Sequence, residues 1–140
     1  MTNESIGYLS RRVTFCASHR LHSSDLSDSE NQKIFGKCNH HYGHGHNYEL
    51  EVVLRGKINS KTGLIFNLTD LKTIIERVVL SKVDHRHLNL DVPEFSRENP
   101  TAEVIAKVFW NWLKSEIPNA LLYEVRLRET ENNLAIYRGE

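Results

Sequence analysis

Cysteine is scarce in this chain of 140 residues: Cys16 and Cys38 are the only two. Two cysteines at such spacing make no disulfide framework, which argues against a small secreted scaffold and leaves both as free thiols. Net charge is missing as well. Eighteen basic residues cancel eighteen acidic ones, so the strongly basic face or high pI of a nucleic-acid binder is not expected. No apolar run approaches the length of a membrane span. The start, Met1-Thr2-Asn3-Glu4-Ser5, lacks the basic-then-apolar pattern of a signal segment, so the cytoplasm is the expected location. Internal repeats, linkers and low-complexity tracts are also absent. With 39% apolar and 26% charged residues, the composition is that of one globular domain over residues 1–140, with 1–8 expected as a flexible N-terminal tail.

What the chain has in excess is histidine. Eight are present, at 19, 22, 40, 41, 44, 46, 85 and 87, and the densest run is Cys38-Asn39-His40-His41-Tyr42-Gly43-His44-Gly45-His46. A strand beginning at His44 puts His44 and His46 on one face, because side chains two apart share a side.

Periodicity supplies the elements. Leu9 to His19 alternates, with Leu9, Val13, Phe15, Ala17 and His19 on one face, and predicts a half-buried strand. Ser23 to Lys33 is polar and reads as a loop with a short helix. A second strand runs from His44 to about Arg55, its inward face carrying His44, His46, Tyr48, Leu50, Val52 and Leu54. Leu64-Ile65-Phe66 is expected as a third, short strand forming a hairpin with it. Leu68, Leu71, Ile74, Ile75, Val78 and Val79 have helical spacing, with Asn67 or Thr69 as N-cap. The stretch from Asp84 to Pro100 reads as loop. A second helix begins near Pro100, turns Ile105, Val108, Phe109, Trp112 and Leu113 inward, and stops before Pro118. The last two strands are expected at about Leu121–Thr130, with Leu121, Tyr123, Val125, Leu127 and Glu129 on one face, and at Leu134–Arg138. The order predicts an α+β fold, an antiparallel sheet with two helices on one face.

The chemistry starts from His19, which ends the first strand on its apolar face. A histidine there is most often structural. Beside a His-x-His on a neighbouring strand it becomes the third ligand of an open metal site, because three imidazoles buried together without a cation leave nitrogens poorly paired. Zinc is the expected ion; nickel, copper and iron also accept imidazole. His40 and His41 offer further donors that spacing does not exclude, while His22 and His87 read as surface residues. Cys38 is either a small buried residue or, beside Lys37 and a cation, a thiolate. Asp84-His85 suits a proton shuttle, the carboxylate orienting the imidazole, or merely solvates a loop. Glu129 on an apolar strand face needs a partner: a ligand edge rich in N–H donors or a structural salt bridge.

These residues together resemble the 6-pyruvoyl-tetrahydropterin synthase family, from about Ser10 to Glu140. The likeness is carried by Phe15-Cys16-Ala17-Ser18-His19-Arg20-Leu21, Phe35-Gly36-Lys37-Cys38-Asn39, Gly43-His44-Gly45-His46-Asn47-Tyr48, Asn67 to Lys72, the Leu80–Leu88 stretch around Asp84-His85, and Glu129-Thr130-Glu131-Asn132-Asn133. The His44–Tyr48 run and the tail resemble the animal-type enzyme. The resemblance implies a tunnelling fold (T-fold), with sheets of three subunits joined into a barrel, two trimers stacked as a hexamer, and active sites between subunits. It implies His19, His44 and His46 as zinc ligands, Cys38 as the catalytic thiol, Asp84 and His85 as the other proton-transfer pair, Glu129 as the pterin anchor and, less securely, Thr101 as a pterin contact.

The implied activity is that of a zinc lyase. It converts 7,8-dihydroneopterin triphosphate to 6-pyruvoyl-tetrahydropterin on the tetrahydrobiopterin route, with Mg2+ also required. Zinc would acidify C–H bonds beside the bound side-chain oxygens. Loss of triphosphate and internal hydrogen shifts need no redox cofactor. A neutral chain must hold the triphosphate with a local basic cluster, such as Lys37 or arginines of a neighbour. Two positions depart from relatives: His40-His41 replaces the Asn-Pro of a familiar animal enzyme, and Thr14 follows Arg11-Arg12 where some relatives have a phosphorylatable Ser. The alternatives are 6-carboxy-tetrahydropterin synthase of the queuosine pathway and a non-catalytic zinc- or pterin-binding protein. Conversion to 6-hydroxymethyl-dihydropterin is disfavoured by the thiol at Cys38, where such relatives use an acidic residue.

Overall fold

Two 14-residue strands, β1 (Ile6–His19) and β2 (His44–Lys57), pair antiparallel along their whole length, Ile6 opposite Lys57 and His19 opposite His44. This is a computed structural model, and it describes residues 5–140. The long pairing follows from the alternation: the inward residues Phe15 and Ala17 of β1 and Tyr48, Leu50, Val52 and Leu54 of β2 are all buried, and a one-residue slip would turn that set to solvent. Strand β4 (Leu122–Thr130) pairs with the free edge of β2, and β5 (Asn133–Tyr137) pairs with β4, both antiparallel. The two-residue β3 (Arg86–His87) lies parallel to β1, so the sheet order is β3-β1-β2-β4-β5 and the sheet is antiparallel except at that edge.

Among the described residues, six α-helical segments join them: α1 (Asp28–Phe35), α2 (Leu68–Ile75), α3 (Ser81–Val83), α4 (Leu88–Asp91), α5 (Glu94–Arg97) and α6 (Ala102–Leu113). A capping box starts α1, where the Ser27 hydroxyl accepts from the Glu30 N–H and the Glu30 carboxylate accepts from the Ser27 N–H. Asn67 caps α2 by accepting from the N–H groups of Thr69 and Asp70. A π turn over Glu76–Leu80 carries α2 into α3. The two main helices bury Leu71 and Ile75, and Ile105, Val108, Phe109 and Leu113, in one apolar cluster with the inward sheet face. Both helices therefore cover one side of the sheet, as expected.

Several expectations need correcting. The chain is already paired at Ile6–Tyr8, opposite Lys57–Arg55, so those residues belong to β1 and not to a tail; residues 1–4 lie outside the described residues. Leu64-Ile65-Phe66 forms no strand. The Asn59 side chain accepts from the Lys61 and Thr62 N–H groups, and the Asn59 N–H donates to the Leu64 carbonyl at 2.9 Å. That closes a compact loop, and the edge of β2 goes to β4 instead. The 84–100 stretch is not loop alone but contains β3, α4 and α5. Trp112 is only half buried. In β4 a register shift opposite Val53/Leu54 brings Leu122 against Leu54, so Leu122 and not Tyr123 is buried there. A bulge of this kind breaks strict alternation.

Candidate metal centre and active site

The end of the β1–β2 ladder makes the centre. His19 is the last residue of β1 and His44 the first of β2, directly opposite each other, and His46 faces the same side two residues further on. Ring centroids stand 4.7 Å apart for His19–His44, 5.1 Å for His19–His46 and 4.7 Å for His44–His46. One nitrogen from each ring lies within 4.8 Å of the others. The Nδ1–H of His19 donates to the Pro100 carbonyl at 2.7 Å, with the Tyr48 hydroxyl 3.3 Å from the same nitrogen. That bond sets the tautomer and leaves the Nε2 lone pair directed to the centre.

Four buried imidazole nitrogens of the trio (His19 Nε2, both of His44 and His46 Nε2) have no hydrogen-bond partner. Unpaired buried nitrogens are costly unless something binds them. Three neutral imidazoles fit a zinc ion that keeps a fourth position open. Burial lowers the His19 pKa to about 4, with the Pro100 bond opposing and His44, His46 and His87 adding to the fall. Burial, His46 and His40 lower that of His44. The rings of His19 and His44 are thus held neutral, the form that ligates a cation.

Among the described residues no fourth His, Cys, Asp or Glu joins the cluster. Glu129 approaches it, its two oxygens 3.8 Å from His46 Nε2 and 3.9 Å from His19 Nε2. No lysine or arginine pairs with Glu129 among the described residues; the two imidazoles are its neighbours in the structure. It lines a cavity of about 510 Å³ together with Leu21 and Thr101. Thr101 caps α6, its hydroxyl accepting from the Val104 N–H. Glu129, Thr101 and the trio therefore adjoin one another.

Cys38 sits half buried in the 3-10 turn Gly36–Asn39 and is a free thiol. Its carbonyl accepts from the Leu21 N–H at 2.9 Å, which ties the turn to the chain just beyond His19. Burial, then the charges of Glu129 and Cys38, push the Tyr48 phenol pKa upward, keeping it a neutral hydroxyl beside His19.

Asp84 and His85 pair as expected, Oδ1 to Nδ1 at 2.9 Å, and Asp84 Oδ1 also accepts from the Cys16 N–H at 3.0 Å. They stand elsewhere, however. They line a cavity of about 440 Å³ with Thr14, Cys16 and Asn47, which are exposed on the outward face of β1 and β2. The trio belongs to the inward face, so within one chain the sheet separates the pair from the metal centre.

His40 and His41 are exposed and lie outside the cluster. His22 and His87 are not the surface residues expected. His22 is half buried, with Nδ1 2.9 Å from the Asn39 side-chain nitrogen. His87 is half buried with an unpartnered, buried Nδ1, because β3 docks it beside Ser18 at the edge of β1. Nothing in Arg86-His87-Leu88 signals this; a two-residue strand has no periodicity to read.

The sequence model of the family described as 6-pyruvoyl tetrahydropterin synthase matches residues 8–140. A protein of Poecilia reticulata named 6-pyruvoyl tetrahydrobiopterin synthase is 50% identical over 137 residues, covering 98% of this chain and 93% of that protein. One of the same name from Homo sapiens is 46% identical over 132 residues, 94% of this chain and 91% of that protein. The structure of Caenorhabditis elegans 6-pyruvoyl tetrahydropterin synthase superposes with a TM-score of 0.95 at 42% identity, with full coverage of both chains. The structure of Plasmodium falciparum 6-pyruvoyl tetrahydropterin synthase, at 17% identity and a TM-score of 0.66, shares the fold. With a matching fold, a convergent histidine trio and near full-length identity to these proteins, the chain belongs to the 6-pyruvoyl tetrahydropterin synthase family.

Proposed function

We propose that this chain is a zinc-dependent lyase converting 7,8-dihydroneopterin triphosphate to 6-pyruvoyl-tetrahydropterin with loss of triphosphate, in tetrahydrobiopterin biosynthesis. The observation that carries the proposal is the convergence of three imidazoles with unpartnered nitrogens beside the cavity lined by Glu129 and Thr101. Relatives named for this activity at 44–50% identity support it.

His19, His44 and His46 would hold the zinc, which when bound supplies a Lewis acid for side-chain oxygens of the substrate. Glu129 accepts the N–H edge of the pterin in charge-assisted bonds, and Thr101 adds a contact. Cys38, as thiolate, removes the proton from the side-chain carbon next to the ring. His85, oriented by Asp84, handles protons at the neighbouring carbon. Since that pair faces away from the trio of its own chain, a second copy completes the site, in line with trimeric barrels stacked as a hexamer. Mg2+ accompanies the triphosphate. The two free thiols suit a reducing cytoplasm, and no helix among the described residues is long and apolar enough to cross a membrane.

The test is incubation of zinc-loaded protein with dihydroneopterin triphosphate and Mg2+, followed by mass analysis of the pterin. A pyruvoyl product with all side-chain carbons retained is expected. Release of acetaldehyde with a carboxy product would instead assign the queuosine-type activity. Unchanged substrate would leave a binding protein.

A further inference from the structure

A cavity of about 590 Å³ is separate from the one beside Glu129. Arg20, His22, His41, His87 and Arg97 all line it. Two carboxylates face the same space, Asp25 and Glu98. Glu98 is already engaged by Lys107 at 2.9 Å. Among the described residues, neither arginine is in an ion pair. Arg20 uses its Nε to donate to the Asn39 carbonyl at 3.0 Å, which fixes the guanidinium while its terminal nitrogens remain available. His87 presents a buried nitrogen with no partner. Its Nε2 lies so close to Gly43 that a Cβ there would stand 3.1 Å away. The wall thus carries two guanidiniums and three imidazoles, with Asp25 its one carboxylate outside an ion pair among the described residues, in a chain of zero net charge.

The cavity's position gives this wall a meaning. Residues 21 and 101 line the Glu129 cavity, while 20, 22 and 99 line this one. The His19–Pro100 hydrogen bond joins the two segments that supply residues to both walls. The donor-rich chamber and the Glu129 cavity therefore draw on the same two segments, the one just after His19 and the one around Pro100. We propose that this chamber is an oxyanion site that binds the phosphoryl chain of the substrate, with Arg97 and Arg20 as its charged donors and His87 and His41 adding imidazole contacts. Guanidinium suits this task, since its planar fork meets phosphoryl oxygens in paired, charge-assisted bonds. The assignment deepens the proposed activity and rests on it for the identity of the substrate, although binding of the anion itself does not depend on turnover.

Titration calorimetry of the zinc-loaded full chain with inorganic triphosphate tests the site. Binding is expected, weakening as salt is raised. Loss of one guanidinium contact in Arg97→Ala should weaken it about tenfold, and Arg97→Lys should recover part of the loss. Arg97→Ala should leave the affinity for dihydroneopterin, which has no phosphate, unchanged, and should raise KM for the triphosphate while leaving kcat in place. Arg77→Ala, whose side chain pairs with Glu116 away from the cavity, serves as the charge-matched control and should bind triphosphate like the parent. Failure of the parent to bind, equal binding by parent and Arg97→Ala, or equal loss of triphosphate and dihydroneopterin would each overturn the proposal. Triphosphate binding that requires Arg97 in a protein that turns over nothing would uphold the site and reject the lyase.

Discussion

At the scale of single residues, the centre is built on a histidine held neutral. The folded chain keeps the His19 pKa at about 4 against 6.5 when free, so between those values the unfolded chain binds a proton that the folded chain does not. Metal-free protein should therefore be most stable above pH 6.5 and lose on the order of 3 kcal/mol as pH falls toward 4. Urea midpoints across that range, compared with His19→Gln, measure the effect, and the variant should show a flatter slope. Cys38 makes a different kind of contribution. Its side chain is outside the imidazole cluster, so Cys38→Ala should retain zinc by elemental analysis and lose turnover. Full activity in that variant would remove the thiol from the proposed chemistry. The trio and Glu129 are readable from sequence because a regular strand dictates side-chain direction. His87 is not, since its burial comes from docking beside another strand.

At the scale of elements, the metal site depends on how the chain enters β2. Gly43 has φ +79°, and a Cβ on it would lie 2.7 Å from the His19 carbonyl oxygen. Only glycine combines that conformation with that approach. Gly43→Ala should displace His44 and weaken zinc binding, with a stability cost of about 1–3 kcal/mol; competition with a chromogenic chelator reads the first and thermal melting the second. The Asn67 cap of α2 is independent of the site. Asn67→Ala should cost about 1 kcal/mol while leaving zinc affinity unchanged. The capped helices and the two long strands are legible from periodicity and end signals. The 64–66 segment misleads because three apolar residues describe a strand only if an edge is free to receive them, and β4 holds that edge.

At the scale of the whole molecule, the sheet divides the proposed machinery. The imidazoles, Glu129 and Thr101 lie on the helix-covered side or its rim, and Asp84–His85 on the other. If both halves serve one substrate, as proposed, two subunits have to supply them. Cys38→Ala and His85→Ala should each be inactive alone and recover activity when co-expressed, because mixed assemblies contain sites built from the intact half of each. Absence of recovery in verified mixed oligomers would mean that the halves do not meet across subunits.

Sequence alone determined the three histidines that converge, the inward faces of the two long strands, and the family to which the chain belongs. Those properties follow from residue type, alternation of two and local capping, all short-range. Tertiary structure decided the rest: the partner strand of β2, the bulge that turns Leu122 inward, the side of the sheet on which Asp84–His85 emerges, and the donor-rich chamber around His87 and Arg97. Each of these depends on which distant segments share an edge or a wall, and side-chain patterning along one strand holds no record of that competition.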